Sequence, residues 1–158
     1  LAIVNRHKAK SILGRFREDE NKKIVFTNGC FDILHRGHLE LLQQAKALGD
    51  LLVVGLNTDA SVKRIKSTAR PFYNEKDRAA LVDALAPVDL VVLFDEDTPL
   101  KLICELKPDI LVKGGDYASR AVIGAKEIQN WGGKVIILPF LKGYGTSVLI
   151  DKIKGEKK

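Results

Sequence analysis

Two of the three histidines in this 158-residue chain, His35 and His38, stand three positions apart with Gly37 between them. They close the segment Thr27-Asn28-Gly29-Cys30-Phe31-Asp32-Ile33-Leu34-His35-Arg36-Gly37-His38, which runs from an apolar stretch into a helix-like one. Residues at i and i+3 around a helix start can face the same way. Gly37 carries no side chain, so a ligand can approach the backbone closely. The N–H groups and dipole at a helix N-terminus attract anions. Two imidazoles beside such an end can donate hydrogen bonds to phosphate oxygens and stabilise the charge that develops in phosphoryl or nucleotidyl transfer. The segment reads as a polyphosphate cradle.

Other chemistries fit these residues less well. A zinc site needs about four ligands. Cys30 and Asp32 belong to the same short loop, no remote histidine completes a set, and His7 lies in a polar leader. No metal ligand is assigned. The chain has no G-x-S-x-G elbow for a serine triad. It also lacks the P-loop and G-x-G-x-x-G patterns. Cys30 and Cys104 form no C-x-x-C pair, and a reducing, cytoplasmic setting is the default. Cys104, in Leu100-Lys101-Leu102-Ile103-Cys104-Glu105-Leu106, reads as a small apolar core residue.

The elements that must position this loop are legible as alternating patterns. Ile24–Phe26, Leu51–Gly55, Leu90–Phe94, Ile110–Val112 and Val135–Leu138 are short, Val/Ile-rich and not strictly alternating, as buried parallel strands are. Amphipathic stretches fall between them. Gly37–Leu48 places Leu39, Leu42 and Ala45 on one face, with Gly49 expected to cap its end. Asn74 is expected to cap a helix carrying Ala80, Leu81 and Leu85 inward. Thr98-Pro99 starts another, one stops at Gly132-Gly133, and Thr146 or Ser147 is expected to cap a last helix, Val148–Ile153. Trp131, before the Gly-Gly stop, reads as a packing residue. The expected fold is α/β: a single doubly wound, Rossmann-like domain with a parallel sheet of about five strands. Residues 1–22 read as a leader with a helix near Lys8–Arg17, 23–154 as the domain, and 155–158 as a basic tail. Ligands of such folds bind at the carboxyl ends of strands.

Composition sets the bounds. A chain that is 46% hydrophobic and 29% charged reads as soluble and globular. No apolar run approaches the roughly 20 residues of a membrane span, and none resembles a signal peptide. With 26 Lys+Arg against 20 Asp+Glu, the net charge of +6 favours an anionic partner: nucleic acid, nucleotide or phosphorylated metabolite. The absence of an interleaved aromatic and basic stripe argues against nucleic acid. A non-catalytic, basic nucleic-acid-binding module on the same fold stays a competing class.

His35-Arg36-Gly37-His38 after a strand, preceded by Gly29-Cys30-Phe31-Asp32, resembles the signature of the HIGH-type nucleotidyltransferase superfamily. Three further segments narrow the match: Asn57-Thr58-Asp59-Ala60-Ser61-Val62-Lys63-Arg64; Arg70-Pro71 with Glu75-Lys76-Asp77-Arg78; and Asp109-Ile110-Leu111-Val112-Lys113-Gly114-Gly115-Asp116-Tyr117. From about Lys23 to Ile153 the chain resembles the bacterial D-glycero-β-D-manno-heptose 1-phosphate adenylyltransferases, and its length suits their stand-alone form. The resemblance implies transfer of AMP from ATP, with Mg²⁺, to heptose 1-phosphate. ADP-heptose and pyrophosphate result, for lipopolysaccharide or related glycan precursors. A cytidylyltransferase for glycerol phosphate or another small phosphate is the alternative. The implied partners are small molecules, with no nucleic acid or membrane, and an exposed sheet edge or helix would allow a homodimer.

The resemblance also implies roles. His35 and His38 are catalytic, contacting the ATP phosphates. Gly29, Cys30, Phe31 and Gly37 lie beside the nucleotide, and no thiol chemistry is assigned to Cys30. Asp32 reads equally as a ligand or as a loop-stabilising carboxylate. Lys63 is favoured over Lys66 for substrate phosphate. Arg78 takes a phosphate or a structural loop role; Lys113 neutralises phosphate and Asp116 accepts sugar hydroxyls. Gly143, Thr146 and Ser147 belong to a loop over the triphosphate. That loop departs from the superfamily pattern: Gly145 replaces a serine, Ser147 a threonine, and Phe140 stands where cytidylyltransferases have arginine.

Overall fold

The computed structural model of the protein describes residues 2–19, 21–115 and 122–155. Six strands form one all-parallel sheet: β1 (Ala2–Val4), β2 (Ile24–Gly29), β3 (Leu51–Asn57), β4 (Leu90–Phe94), β5 (Ile110–Gly114) and β6 (Lys134–Leu138), in the order β1-β4-β3-β2-β5-β6. The direction of winding reverses at β2. Phe26 pairs with Val53 of β3 on one side and with Leu111 of β5 on the other.

Alternation along each strand sends side chains to two cores, one per face. On one face Phe26, Val53, Val92 and Leu111 pack under α1 (Arg6–Phe16), α5 (Leu100–Leu106) and α6 (Ala125–Asn130), through Ala9, Leu13, Leu102, Ile103 and Ile128. On the other, Val25, Leu52, Val54 and Val91 meet Leu42 and Ala45 of α2 (Arg36–Lys46) and Ala79 and Val82 of α4 (Glu75–Asp83). Each fully buried Leu, Val or Phe stabilises the fold by about 1.5–3 kcal/mol relative to exposure. α3 (Asp59–Ile65) follows β3, and α7 (Thr146–Ile153) ends the described chain without a fully buried residue. Among the described residues, no helix is long and apolar enough to cross a membrane.

Three aspartates stitch the amino end of the sheet. Asp50, Asp89 and Asp109 each precede a strand and accept a backbone N–H from a neighbouring one: Lys23 N at 2.8 Å, Leu52 N at 2.7 Å and Ile24 N at 2.8 Å. These carboxylates satisfy donors that would otherwise lack a ladder partner. The carboxyl end is thereby left to loops of other composition.

Several expectations need correction. The sheet has six strands rather than five, because residues read as leader supply β1, which pairs with β4. The same leader supplies Ala9 and Leu13 to the core. Asn74 does cap α4, accepting from Asp77 N at 3.0 Å. The buried face of α4, however, is Arg78, Ala79 and Val82; Leu81 is exposed. Gly49 is not the cap of α2, which ends at Ala47. A Cβ at Gly49 would stand 2.7 Å from Val25 Cγ2 and 2.8 Å from the Lys23 carbonyl, so glycine is required there by the close approach of β2. Neither Thr146 nor Ser147 caps α7; Gly145 holds that place without a side-chain bond. Trp131 packs against the core and donates Nε1–H to the Pro108 carbonyl at 2.9 Å, and Cys104 is only half-buried.

Candidate active site

Open parallel sheets bind ligands where the winding reverses, in the crevice beyond the strand ends. Here that crevice lies over β2 and β5. A cleft of about 670 Å³ opens there, lined by Asn28, Gly29, Cys30, Phe31, Asp32 and His38 from β2 and the turn after it. Asn57 ends β3, and Ile65, Lys66 and Arg70 follow it; Lys113 and Gly114 end β5; Phe140, Thr146 and Ser147 come from the last loop and helix.

The turn after β2 is built around the histidine rings. Phe31 takes a left-handed conformation (φ 47°), which L-residues other than glycine rarely adopt. It reverses the chain, and its ring lies 5.1 Å from that of His38. His38 in turn stacks on His35 at 3.9 Å between centroids. Gly37 makes the stack possible: a Cβ there would stand 3.0 Å from His35 Cε1 and Nδ1 and 3.3 Å from Tyr144 Cβ. Nδ1 of both rings is buried and has no hydrogen-bond partner among the described residues. Such groups are costly to leave unpaired, which marks the stack as a place for an external partner.

Burial, and then the neighbouring His35, hold the His38 pKa down to about 4 from an ordinary 6.5. Burial also lowers that of His35. Burial of the stack thus favours the neutral form of both imidazoles. The sign for stability follows. Between pH 6.5 and about 4 the unfolded chain binds the proton that the folded His38 refuses. His38's contribution is therefore complete above pH 6.5 and declines as the pH falls through that window. The melting temperature of wild type is expected to drop more steeply from pH 7.5 to 4.5 than that of His38→Gln; parallel curves would contradict this.

On the other side of the turn, Lys113 Nζ donates to Asn28 Oδ1 at 2.7 Å, and burial lowers the lysine's pKa from its usual value. Cys30 Sγ points at Asn57 Oδ1 at 3.9 Å, and burial pushes its thiol up, so it is a packing thiol rather than a thiolate. Asn57 is braced by Ser61 Oγ at 2.9 Å, which donates to the Glu96 carbonyl at 2.9 Å.

Placement of the remaining expected residues is uneven. Gly29, Cys30, Phe31, His38, Lys66, Lys113, Thr146 and Ser147 all line the cleft, while His35 and Gly37 stand directly behind His38. Gly143, in the left-handed region (φ 82°), is not among the residues lining the cleft. Lys63, favoured over Lys66, instead borders a separate depression with Asp59, Asn74 and Lys76; Lys66 is the cleft residue. The phosphate reading of Arg78 gives way to the structural one, because its side chain is wholly buried. Its guanidinium donates to the carbonyls of Tyr73 at 3.0 Å and Cys30 at 2.6 Å, and to Asp59 Oδ1 at 2.7 Å. Asp32 is also a loop residue: 2% exposed, it pairs with Arg70 and accepts the N–H groups of Phe72 and Tyr73. Asp116 lies outside the described residues. Asn28, Asn57 and Arg70 line the cleft without having been assigned a role. The two asparagines carry a readable signal, since each is a polar residue at the carboxyl end of an apolar strand.

The sheet's switch point thus carries a histidine turn and a cleft lined by the cations Lys66, Arg70 and Lys113. The model for cytidylyltransferase-like proteins matches residues 26–141, and the chain belongs to that family. It is 50% identical over 150 residues to the bifunctional protein HldE of Koribacter versatilis (strain Ellin345), a match covering 95% of this chain and 31% of that protein. It is 58% identical over 132 residues to the bifunctional protein HldE of Citrifermentans bemidjiense, covering 84% of this chain and 27% of that one. The chain thus spans less than a third of the length of these relatives. Among solved structures, a lipopolysaccharide core biosynthesis protein from Thermoplasma volcanium superposes with a TM-score of 0.63 at 32% identity, over 79% of this chain and 100% of the other. Pantoate-beta-alanine ligase from Francisella tularensis (TM-score 0.64, 16% identity, 90% of this chain and 68% of the other) shares the fold.

Proposed function

We propose that this nucleotidyltransferase joins ATP to D-glycero-β-D-manno-heptose 1-phosphate, giving ADP-heptose and pyrophosphate for lipopolysaccharide or related glycan precursors. The observation that carries the reading is the lining of the switch-point cleft. His38, whose Nδ1 is unpartnered among the described residues, Lys66, Lys113 and the N-terminus of α7 line it, while the buried carboxylate of Asp32 is neutralised by Arg70. Such a cleft suits two phosphorylated substrates. The choice of sugar and nucleotide rests on the sequence resemblance and on the relatives carrying the HldE name. A cytoplasmic location follows from the use of ATP.

The chemistry needs no protein nucleophile. A phosphate oxygen of the sugar 1-phosphate attacks the α-phosphorus of ATP in line. The new P–O bond forms as the bond to the bridging α–β oxygen breaks, and pyrophosphate leaves with that electron pair. The protein positions the two anions and meets the charge as it grows. His38, backed by His35, donates toward the triphosphate; Lys113, held by Asn28, stands beside the reacting phosphates; the backbone of Gly29 to Phe31 borders the nucleotide; Thr146 and Ser147 face its phosphates. Mg²⁺ enters with ATP as counter-ion to the triphosphate. Substrate oxygens and water would supply most of its ligands.

Pyrophosphate release with a panel of nucleoside triphosphates tests the reading. ATP with heptose 1-phosphate is expected to turn over and CTP to be poor; strong turnover with CTP and none with ATP would favour the cytidylyl alternative. Gly37→Ala separates the turn's geometry from its stability. Alanine is a better helix former than glycine, yet its Cβ must displace the His35 ring. The ring must give by a few tenths of an ångström, so turnover is expected to fall without a lower melting temperature. Near-wild-type kinetics would show that the His35–His38 stack is dispensable.

A further inference from the structure

We infer that Arg70 is the residue that grips the acceptor's phosphate and so selects a phosphorylated sugar as second substrate, an inference that rests on the reaction proposed above. The loop joining α3 to α4 has no regular structure, but it is tied down at several points. Buried Asp32 accepts the N–H groups of Phe72 at 2.7 Å and Tyr73 at 3.1 Å and pairs with Arg70 Nε. Arg78 holds the Tyr73 carbonyl from beneath. The loop is thereby fixed to the turn that carries the histidines.

This lock spends only one edge of the Arg70 guanidinium. Its side chain is 20% exposed and lines the cleft, and its two Nη groups have no partner among the described residues. The exposed Phe72 ring lies 4.9 Å from the Arg70 Cζ and supports the guanidinium plane. A guanidinium oriented in this way, with its fork unspent, is preorganised for bidentate contact with phosphate. Its charge is balanced by Asp32, so it contributes direction, while Lys66 beside it contributes net charge. Both arrive on the segment after β3, a different element from the histidine turn and the N-terminus of α7. In-line transfer requires such a second anion site, because the attacking phosphate must be held apart from the leaving pyrophosphate.

Steady-state kinetics on Arg70→Gln and Arg70→Lys, with ATP affinity measured by calorimetry without acceptor, test the inference. Loss of a charged phosphate contact predicts that Arg70→Gln raises KM for heptose 1-phosphate about 10- to 100-fold. The ATP dissociation constant should stay within about twofold. Arg70→Lys, which keeps a cation beside Asp32 but loses the fork, should fall between wild type and Arg70→Gln, with a melting temperature near that of wild type. An unchanged acceptor KM, or equal losses toward both substrates together with a lower melting temperature, would overturn it in favour of a purely structural arginine. If wild type forms no nucleotide sugar from heptose 1-phosphate, the proposed reaction itself fails. Arg70 is then tested with inorganic phosphate as calorimetric probe: binding lost in Arg70→Gln supports the anion grip, and equal binding in both proteins overturns it.

Discussion

His38→Ala is expected to lower turnover by about 10²–10³-fold, the usual cost of removing one preorganised donor to a developing charge. Stability at neutral pH should be nearly unchanged. The ring is half-buried, its Nδ1 is unpartnered among the described residues, and it contributes stacking on Phe31 and His35 rather than hydrogen bonds. The contact is expected to strengthen as charge moves onto the leaving pyrophosphate in the transition state. The losses should therefore appear in kcat more than in KM for ATP. A folded His38→Ala protein with full activity would remove the histidine turn from the mechanism.

Arg78→Met should have the largest effect on stability. The side chain is wholly buried and bridges three separate segments, through Cys30, Asp59 and Tyr73. Methionine can occupy much of the space, but it leaves two carbonyls and a carboxylate without their donor. Breaking a buried pair from one side costs about 3–5 kcal/mol. Asp59 retains some water access, so the lower end applies. In a domain of this size about 3 kcal/mol corresponds to a fall of roughly 6–12 °C in melting temperature. A shift of under about 2 °C would mean that the three segments are held together by other contacts. Activity should fall as well, since the Cys30 carbonyl anchors the turn that orients His38.

The contrast between these residues shows what the sequence could disclose. The histidine turn is local: Gly29, Phe31, His35, Gly37 and His38 follow the strand within one short segment, and their chemistry is legible without the fold. The five apolar runs are legible because fully buried parallel strands leave little room for polar residues. β1 is not, because Ala2–Val4 has only three residues on a partly solvated sheet edge, and only its pairing with β4 makes it a strand. Arg78 stands in the charged run Glu75-Lys76-Asp77-Arg78, and its sequence reading leaves a phosphate role and a structural loop role both open. Its burial is dictated by carbonyls from distant turns. Lys63 lies within α3, whereas Lys66 follows its last residue, Ile65, and lines the cleft. Arg70 acquires its place from Asp32, which is 38 positions away in the sequence.

The proposed reaction is adenylyl transfer by direct attack of a sugar phosphate on the α-phosphorus. Phosphorus NMR of a reaction containing the protein, ATP, Mg²⁺ and D-glycero-β-D-manno-heptose 1-phosphate tests it most directly. The expected result is loss of the sugar monophosphate signal and growth of two coupled diphosphate resonances of a nucleotide sugar, with one equivalent of free pyrophosphate. Formation of ADP with a doubly phosphorylated sugar, or hydrolysis of ATP with the sugar phosphate left intact, would contradict it.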